Sequence, residues 1–389
     1  MYLDNGATYI GELSGRPKEK ESIFGLLRVL PRLKERFGTV HVNLGEPIAL
    51  TAVLERYDRQ WRTRATEGDA RLPWSNALLG ELCQSIMRNI NAAAAVTPIN
   101  LLAVVLLASP RRTLVEADLT RMLDLTVALL KDCPYSERVT VTELASAQII
   151  SYGETLKVLT RIKHPLGDLL QMSDEAAVLA AYYRNNVLHL LALPSLVACA
   201  FAGNAVMHRE DIHRLAWRIY PYIAAELFLR WREDELPAAV DQVLAALAGR
   251  GLIEAGSDGR EFRRPLPTTG EAMQLSLLAQ VTLLTIERYY LTIALLLKAG
   301  SGQITQAVLE DRCQLMAQRI SLLYGFNSPE FFDRTLFENF IDLLRERGVV
   351  RASGAGRLEF DEVLVRVAQD AQVVLNEEIR HSILQVTHA

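Results

Sequence analysis

The stretches DQVLAALAGRGLIEAGSDGREFRRP (241–265) and ENFIDLLRERGVVRASGAGRLEF (338–360) share one pattern. Each starts with an amphipathic run, in which Val243, Leu244 and Leu247, or Phe340, Ile341 and Leu344, fall on one helical face. A basic residue followed by glycine then stops the helix, at Arg250-Gly251 and Arg347-Gly348. A short apolar strand, a glycine-containing turn and a second strand follow. A helix leading into such a hairpin is the back half of a winged-helix unit. The pattern predicts a mainly α fold with two winged-helix-like units, near 235–265 and 330–362.

The text around these units is also helical. After a polar linker within 61–74 (RTRATEGDARLPW, 62–74), helical spacing predicts helices over 75–94, 98–108, 115–133, 141–161, 174–207, 209–231, 235–250, 268–299, 303–324, 328–348 and 359–384. Upstream, PKEKESIFGLLRVLPRLKERF (17–37) reads as a helix opened by Pro17 and acidic Glu19 and Glu21, with Pro31 interrupting it. In TVHVNLGEPIAL (39–50), Val40, Val42 and Leu44 alternate with polar residues before Gly45 and Pro47, which predicts a strand. A helix followed by a strand suggests that residues 1–60 end an α/β domain and that 75–389 form a separate helical domain. The opening MYLDNGATYIGEL is loop-like and reads as a chain whose front has been cut away.

Composition narrows the function classes. The chain has 389 residues, is 50% hydrophobic and carries a formal net charge of −4. That balance offers no global attraction to nucleic acid, and acidic residues interleave with the basic ones throughout. A structural or protein-contact role is therefore expected for the winged-helix-like units, with no nucleic-acid partner. Cys83, Cys133, Cys199 and Cys313 are too far apart for a CxxC motif and read as reduced, buried thiols. No signal peptide opens the chain. The apolar stretches NINAAAAVTPINLLAVVLLASP (89–110) and 185–207 contain proline, asparagine or histidine. They read as buried core helices before interfacial membrane contacts, and as spans last.

Few residues suggest chemistry. His164 has Asp168 four positions on, but Pro165 and Gly167 place them in a loop. His208, Glu210, Asp211 and His213 lack a standard metal spacing and read as a capped helix start. No metal and no cofactor is expected. In SGRPKEKES (14–22), Arg16, Lys18 and Lys20 beside a helix N-terminus form a possible anion site, against which stands a self-neutralising charge run with Glu19 and Glu21. In YYRNN, Arg184, Asn185 and Asn186, with nearby His189, read as a structural hydrogen-bond network.

Several blocks resemble the bacterial membrane-bound glycerol-3-phosphate acyltransferase family. They are ELSGRPKEKESIFGLLR (12–28), VHVNLGEPIAL (40–50), MRNINAAAAVTPINLLAVVLLAS (87–109), CPYSERVTV (133–141), AVLAAYYRNNVLHLLALPSLVA (177–198), AELFLRWREDELP (225–237) and AQRISLLYGFNSPEFFD (317–333). The resemblance implies the carboxy-terminal half of such an enzyme, with residues 1–60 closing its α/β acyltransferase domain. It implies acyl transfer from acyl-CoA or acyl-carrier protein to the sn-1 hydroxyl of glycerol 3-phosphate, giving lysophosphatidate for phospholipid synthesis. It also implies a peripheral location on the cytoplasmic side of the bacterial inner membrane. The family's His-x4-Asp hallmark is missing: His41 has Glu46 at that distance, and Asp168 comes one position too early after His164. No catalytic residue can therefore be carried over, and the isolated chain is expected to be inactive. Arg16, Lys18 and Lys20 remain the candidate substrate-binding residues. A non-catalytic helical interaction or regulatory module is the alternative reading.

Overall fold

The computed structural model describes residues 39–65, 73–324 and 329–374, and its regular structure is mainly helical. The helices are α1 (Leu50–Tyr57), α2 (Trp61–Ala65), α3 (Ser75–Ala92), α4 (Pro98–Leu107), α5 (Glu116–Asp132), α6 (Ser146–Thr155), α7 (Asp174–Asn185), α8 (Leu188–Cys199), α9 (Arg209–Leu227), α10 (Leu236–Gly249), α11 (Gly270–Ala299), α12 (Gln306–Tyr324), α13 (Arg334–Glu346) and α14 (Glu362–Val374). The strands are β1 (Ala95–Val96), β2 (Thr113–Val115), β3 (Thr140–Val141), β4 (Thr160–Ile162), β5 (Leu169–Gln171), β6 (Val206–His208), β7 (Glu254–Ala255), β8 (Glu261–Arg263), β9 (Val350–Ala352) and β10 (Leu358–Phe360).

One order of elements recurs three times among the described residues: a helix, a short strand running straight into a second helix, a third helix, and a hairpin. The first unit is α4-β2-α5-α6-β4-β5, with sheet order β2-β5-β4. The second is α8-β6-α9-α10-β7-β8, with order β6-β8-β7. In the third, α11-α12-α13-β9-β10, the lone strand shrinks to the Thr305–Arg357 bridge, and Leu358 donates its N–H to the Ile304 carbonyl over 2.8 Å. Each small sheet seals a hydrophobic pair. Leu114 faces Leu170 in the first and Met207 faces Phe262 in the second, all four buried.

The opening helices of the units, α4, α8 and α11, form the spine of the molecule. All twelve residues of α8 are buried, and α8 packs along α11. Their seam is close because it is made of small side chains. Ser195 donates to the Ala279 carbonyl and accepts from the Thr282 N–H, both over 3.0 Å. Burying a leucine fully contributes about 1.5–3 kcal/mol, so Leu190, Leu191, Leu193 and Leu196 make α8 a main source of stability. Among the described residues, α11 is long and apolar enough to cross a membrane by length and composition, but 72% of its most apolar window is buried. A helix apolar all round belongs in a core when other elements cover it; here α8, α12, α13 and α14 do so.

Several expectations need correction. Residues 39–49 form no strand: they run without regular structure, and Val40, Val42 and Leu44 are exposed to 62%, 81% and 83%. Their alternation resembles a half-buried strand, but no described strand pairs with them. The expected helix 174–207 is two, because the chain turns at Asn186 and Val187, where Val187 leaves helical geometry (φ −129°, ψ −1°). The expected helix 141–161 shortens to α6 and leads into β4. Helix 209–231 ends early, at Leu227, where Phe228 takes a left-handed conformation (φ 51°). Helix 328–348 starts at Arg334, after a short 3-10 turn over Pro329–Phe332. The linker region contains α2. The apolar stretches 89–110 and 185–207, by contrast, supply the expected core helices: α4 and α8 are almost wholly buried. The helix expected over 17–37 lies outside the described residues.

Candidate binding groove

A groove of about 1010 Å³ lies between the extended segment 39–48, α3, the start of α4 and the α7–α8 turn. Its lining is rich in amides, with Asn43, Asn89, Asn91, Asn100, Asn185 and Asn186 all contributing. The extended segment is tied down at Asn43 and Glu46. Asn43 donates to the Thr140 hydroxyl over 3.0 Å, Asn89 donates to the Glu46 carbonyl over 2.7 Å, and Glu46 pairs with Arg138. Gly45 is required here, since a Cβ would sit 2.8 Å from the Asn89 carbonyl oxygen.

The groove floor is a built network. Thr97 caps α4, and Asn100 returns the bond to the Thr97 N–H over 2.8 Å, with Pro98 set in the first turn. The Asn100 amide also donates to the Tyr183 carbonyl over 2.7 Å, joining α4 to the end of α7. Asn91 donates to the Leu227 carbonyl over 2.7 Å, which satisfies the end of α9. The Asn91 carbonyl in turn accepts from His189 Nε2 over 2.9 Å. A carbonyl can only accept, so Nε2 carries the proton. His189 is 3% exposed and its ring meets the Tyr135 ring edge-on at 5.1 Å. Burial lowers its pKa to about 4, and the ring is neutral near pH 7.

The other candidate residues separate. Arg184 donates to Asn185 Oδ1 from Nε and Nη2, over 3.2 and 3.1 Å. His164 lies in the β4–β5 turn, while Asp168 pairs with Arg161 and Lys163. Arg161 also binds Glu116 and Glu154, so Asp168 belongs to an ion-pair hub. Glu210 and Asp211 occupy the first turn of α9, His213 binds Asp241 over 2.8 Å, and no group of described residues could hold a metal ion. Of the four cysteines expected to be buried, Cys199 and Cys313 are, and desolvation pushes both thiols up to about 12, whereas Cys83 is exposed and Cys133 half-buried. Arg16, Lys18 and Lys20 lie outside the described residues.

The groove can therefore hydrogen-bond a polar or backbone-like surface, but it brings together no nucleophile and base among the described residues. Sequence reasoning found the Asn185–His189 wall and missed Asn91 and Asn100. Their isolated amides gave no local signal, because their partners lie 136 and 83 residues away.

Residues 9–353 match the family model described as glycerol-3-phosphate acyltransferase C-terminal region. A glycerol-3-phosphate acyltransferase of Pseudomonas aeruginosa (strain UCBPP-PA14) is 44% identical over 382 residues, covering 98% of this chain and 46% of the relative. One of Xanthomonas campestris pv. campestris is 44% identical over 388 residues, covering 99% of this chain and 44% of the relative. The chain thus spans about half the length of these relatives.

Proposed function

This chain belongs to the glycerol-3-phosphate acyltransferase C-terminal region family, and on that premise we propose that it is the non-catalytic part of a glycerol-3-phosphate 1-O-acyltransferase. The observation that carries the reading is the 44% identity along 98% of the chain. In the proposed reaction the sn-1 hydroxyl oxygen attacks the thioester carbonyl of acyl-CoA or acyl-carrier protein. The thiol leaves, lysophosphatidate forms, and a base takes the hydroxyl proton. No histidine of this sequence has an aspartate five positions on, so that base would lie in another segment.

In this reading the three units are winged-helix-like scaffolds, supported by their shared strand–helix–helix–hairpin order. Residues 1–60 would close the α/β domain, 61–74 would link, and 75–389 would form the helical domain. The amide-lined groove, whose asparagines can hydrogen-bond a backbone, would seat the segment carrying the chemistry. Attachment to the cytoplasmic face of the inner membrane would be peripheral. An exposed seam on α12, Val308, Leu315 and Leu322, supports that placement better than the buried α4 and α8.

The decisive experiment replaces the corresponding segment of the Pseudomonas aeruginosa relative with this chain. The hybrid should transfer acyl groups to glycerol 3-phosphate, while this chain alone should not exceed a no-enzyme control. An inactive but folded hybrid, or activity from the isolated chain, would sink the proposal. In the active hybrid, Lys18→Ala with Lys20→Ala tests the proposed Arg16, Lys18 and Lys20 site. A raised KM for either substrate is expected, and unchanged values for both remove these residues from it.

A further inference from the structure

A second cavity, of about 480 Å³, lies where the three units meet. Its walls come from β2, from the residues just after α8, from the loop after β8 and from the start of α11. Leu114, Phe201, Met273 and Leu277 make it apolar. The space is far larger than one water, whose share of liquid is about 30 Å³. Its size falls in the range of about 300–1,000 Å³ typical of small-molecule sites.

A cation shares this lining. Arg264 Nη1 donates to the Phe201 and Ala202 carbonyls, each over 3.3 Å, just past the end of α8. A guanidinium has five N–H donors. Those on Nε and Nη2 have no hydrogen-bond acceptor, and Arg264 has no carboxylate partner, among the described residues. The side chain is therefore anchored through one nitrogen with the rest of its fork unused. Leu266, between the lining residues Pro265 and Pro267, is 73% exposed and marks an apolar approach from outside.

We propose that this cavity binds a single-chain amphiphile with an anionic head, its hydrocarbon along Leu114, Phe201 and Leu277 and its head on Arg264. A planar carboxylate and a tetrahedral phosphate monoester each present paired oxygens that a guanidinium can grip, so either head satisfies the site. The proposal does not rest on the acyltransferase reading, because binding to this chain alone requires no catalysis.

Calorimetry on the purified chain, with laurate, dodecyl phosphate and dodecanol below their aggregation limits, tests it. At least one anionic amphiphile should bind saturably with one equivalent. Tighter binding of laurate identifies a free acid, and tighter binding of dodecyl phosphate identifies a phosphate-headed chain. Arg264→Gln should weaken the anion about tenfold or more while leaving the weaker dodecanol unchanged. Arg264→Lys should recover part of the loss. Ala272→Trp, which fills the lining without touching the Arg264 bonds, should abolish binding of all three. The inference is overturned if neither anion binds the wild-type chain, or if Arg264→Gln and Ala272→Trp, both shown to be folded, bind as the wild type does.

Discussion

His189 on α8 gives its Nε2 proton to the backbone carbonyl of Asn91, 2.9 Å away at the end of α3. This bond ties the groove's outer helix to the buried spine; either charge state of the ring can donate it, and it is burial that disfavours the imidazolium. Burial holds the His189 pKa near 4, against 6.5 when unfolded. Between those values the unfolded state binds the extra proton, so stability rises with pH and is lost on acidification from about pH 6.5 to 4. That difference is worth about 3 kcal/mol. Denaturant titrations across this window should show the fall, and His189→Gln should flatten it. An unchanged slope in the variant would remove His189 as the cause.

Glu287 should act in the opposite sense. It lies in α11, 1% exposed, with neither carboxyl oxygen hydrogen-bonded among the described residues. Burial raises its pKa to about 8. The folded state then holds a proton that the unfolded state releases above about pH 4.5, so stability declines as pH rises from there to 8. Glu287→Gln keeps the shape without the ionisation. It should stabilise the chain at pH 8 by on the order of 4 kcal/mol and have little effect at pH 4.5. Equal effects at both pH values would contradict this account.

The Gly45 contact predicts a local effect. A methyl group there meets backbone, which cannot swing aside, and overpacking typically costs about 1–3 kcal/mol. Gly45→Ala should release residues 39–49 from the groove before it unfolds the core. Limited proteolysis should cut within 39–49 faster while the melting temperature moves little. An unchanged cleavage rate in 39–49 would show that the segment tolerates a side chain.

The helical fold was legible because α5, α10 and α13 each show one apolar face in their own sequence, as Val243, Leu244 and Leu247 do on α10. The helix-hairpin pattern marked the second and third units. The first escaped notice because α6 ends without the Arg-Gly signal, leaving at Lys157 with φ 57°. The false strand at Val40–Leu44 had the right period, but period alone does not supply a neighbouring strand. The groove was only half visible. A run such as YYRNN stands out locally, whereas Asn91 and Asn100 gain meaning from carbonyls that folding brings to them.

Arg161 provides the last test. It holds Glu116, Glu154 and Asp168 together, joining the start of α5, the end of α6 and the β4–β5 hairpin of the first unit. Hydrogen bonds from Arg161 hold the Glu116 pKa down, and Lys163 followed by Arg161 does the same for Asp168. Groups with depressed folded pKa values contribute stability above their unfolded values and lose it as pH falls through the folded ones. Removing the guanidinium leaves three carboxylates crowded without their shared partner, which costs more than losing one surface pair. Arg161→Ala should therefore lower the melting temperature at pH 7, and the gap to wild type should narrow on acidification, as the carboxylates become protonated. Arg161→Lys should recover only part of the loss, because an ammonium cannot reproduce the forked contacts. A gap that stays constant from pH 7 to pH 3 would mean that Arg161 acts through packing rather than charge.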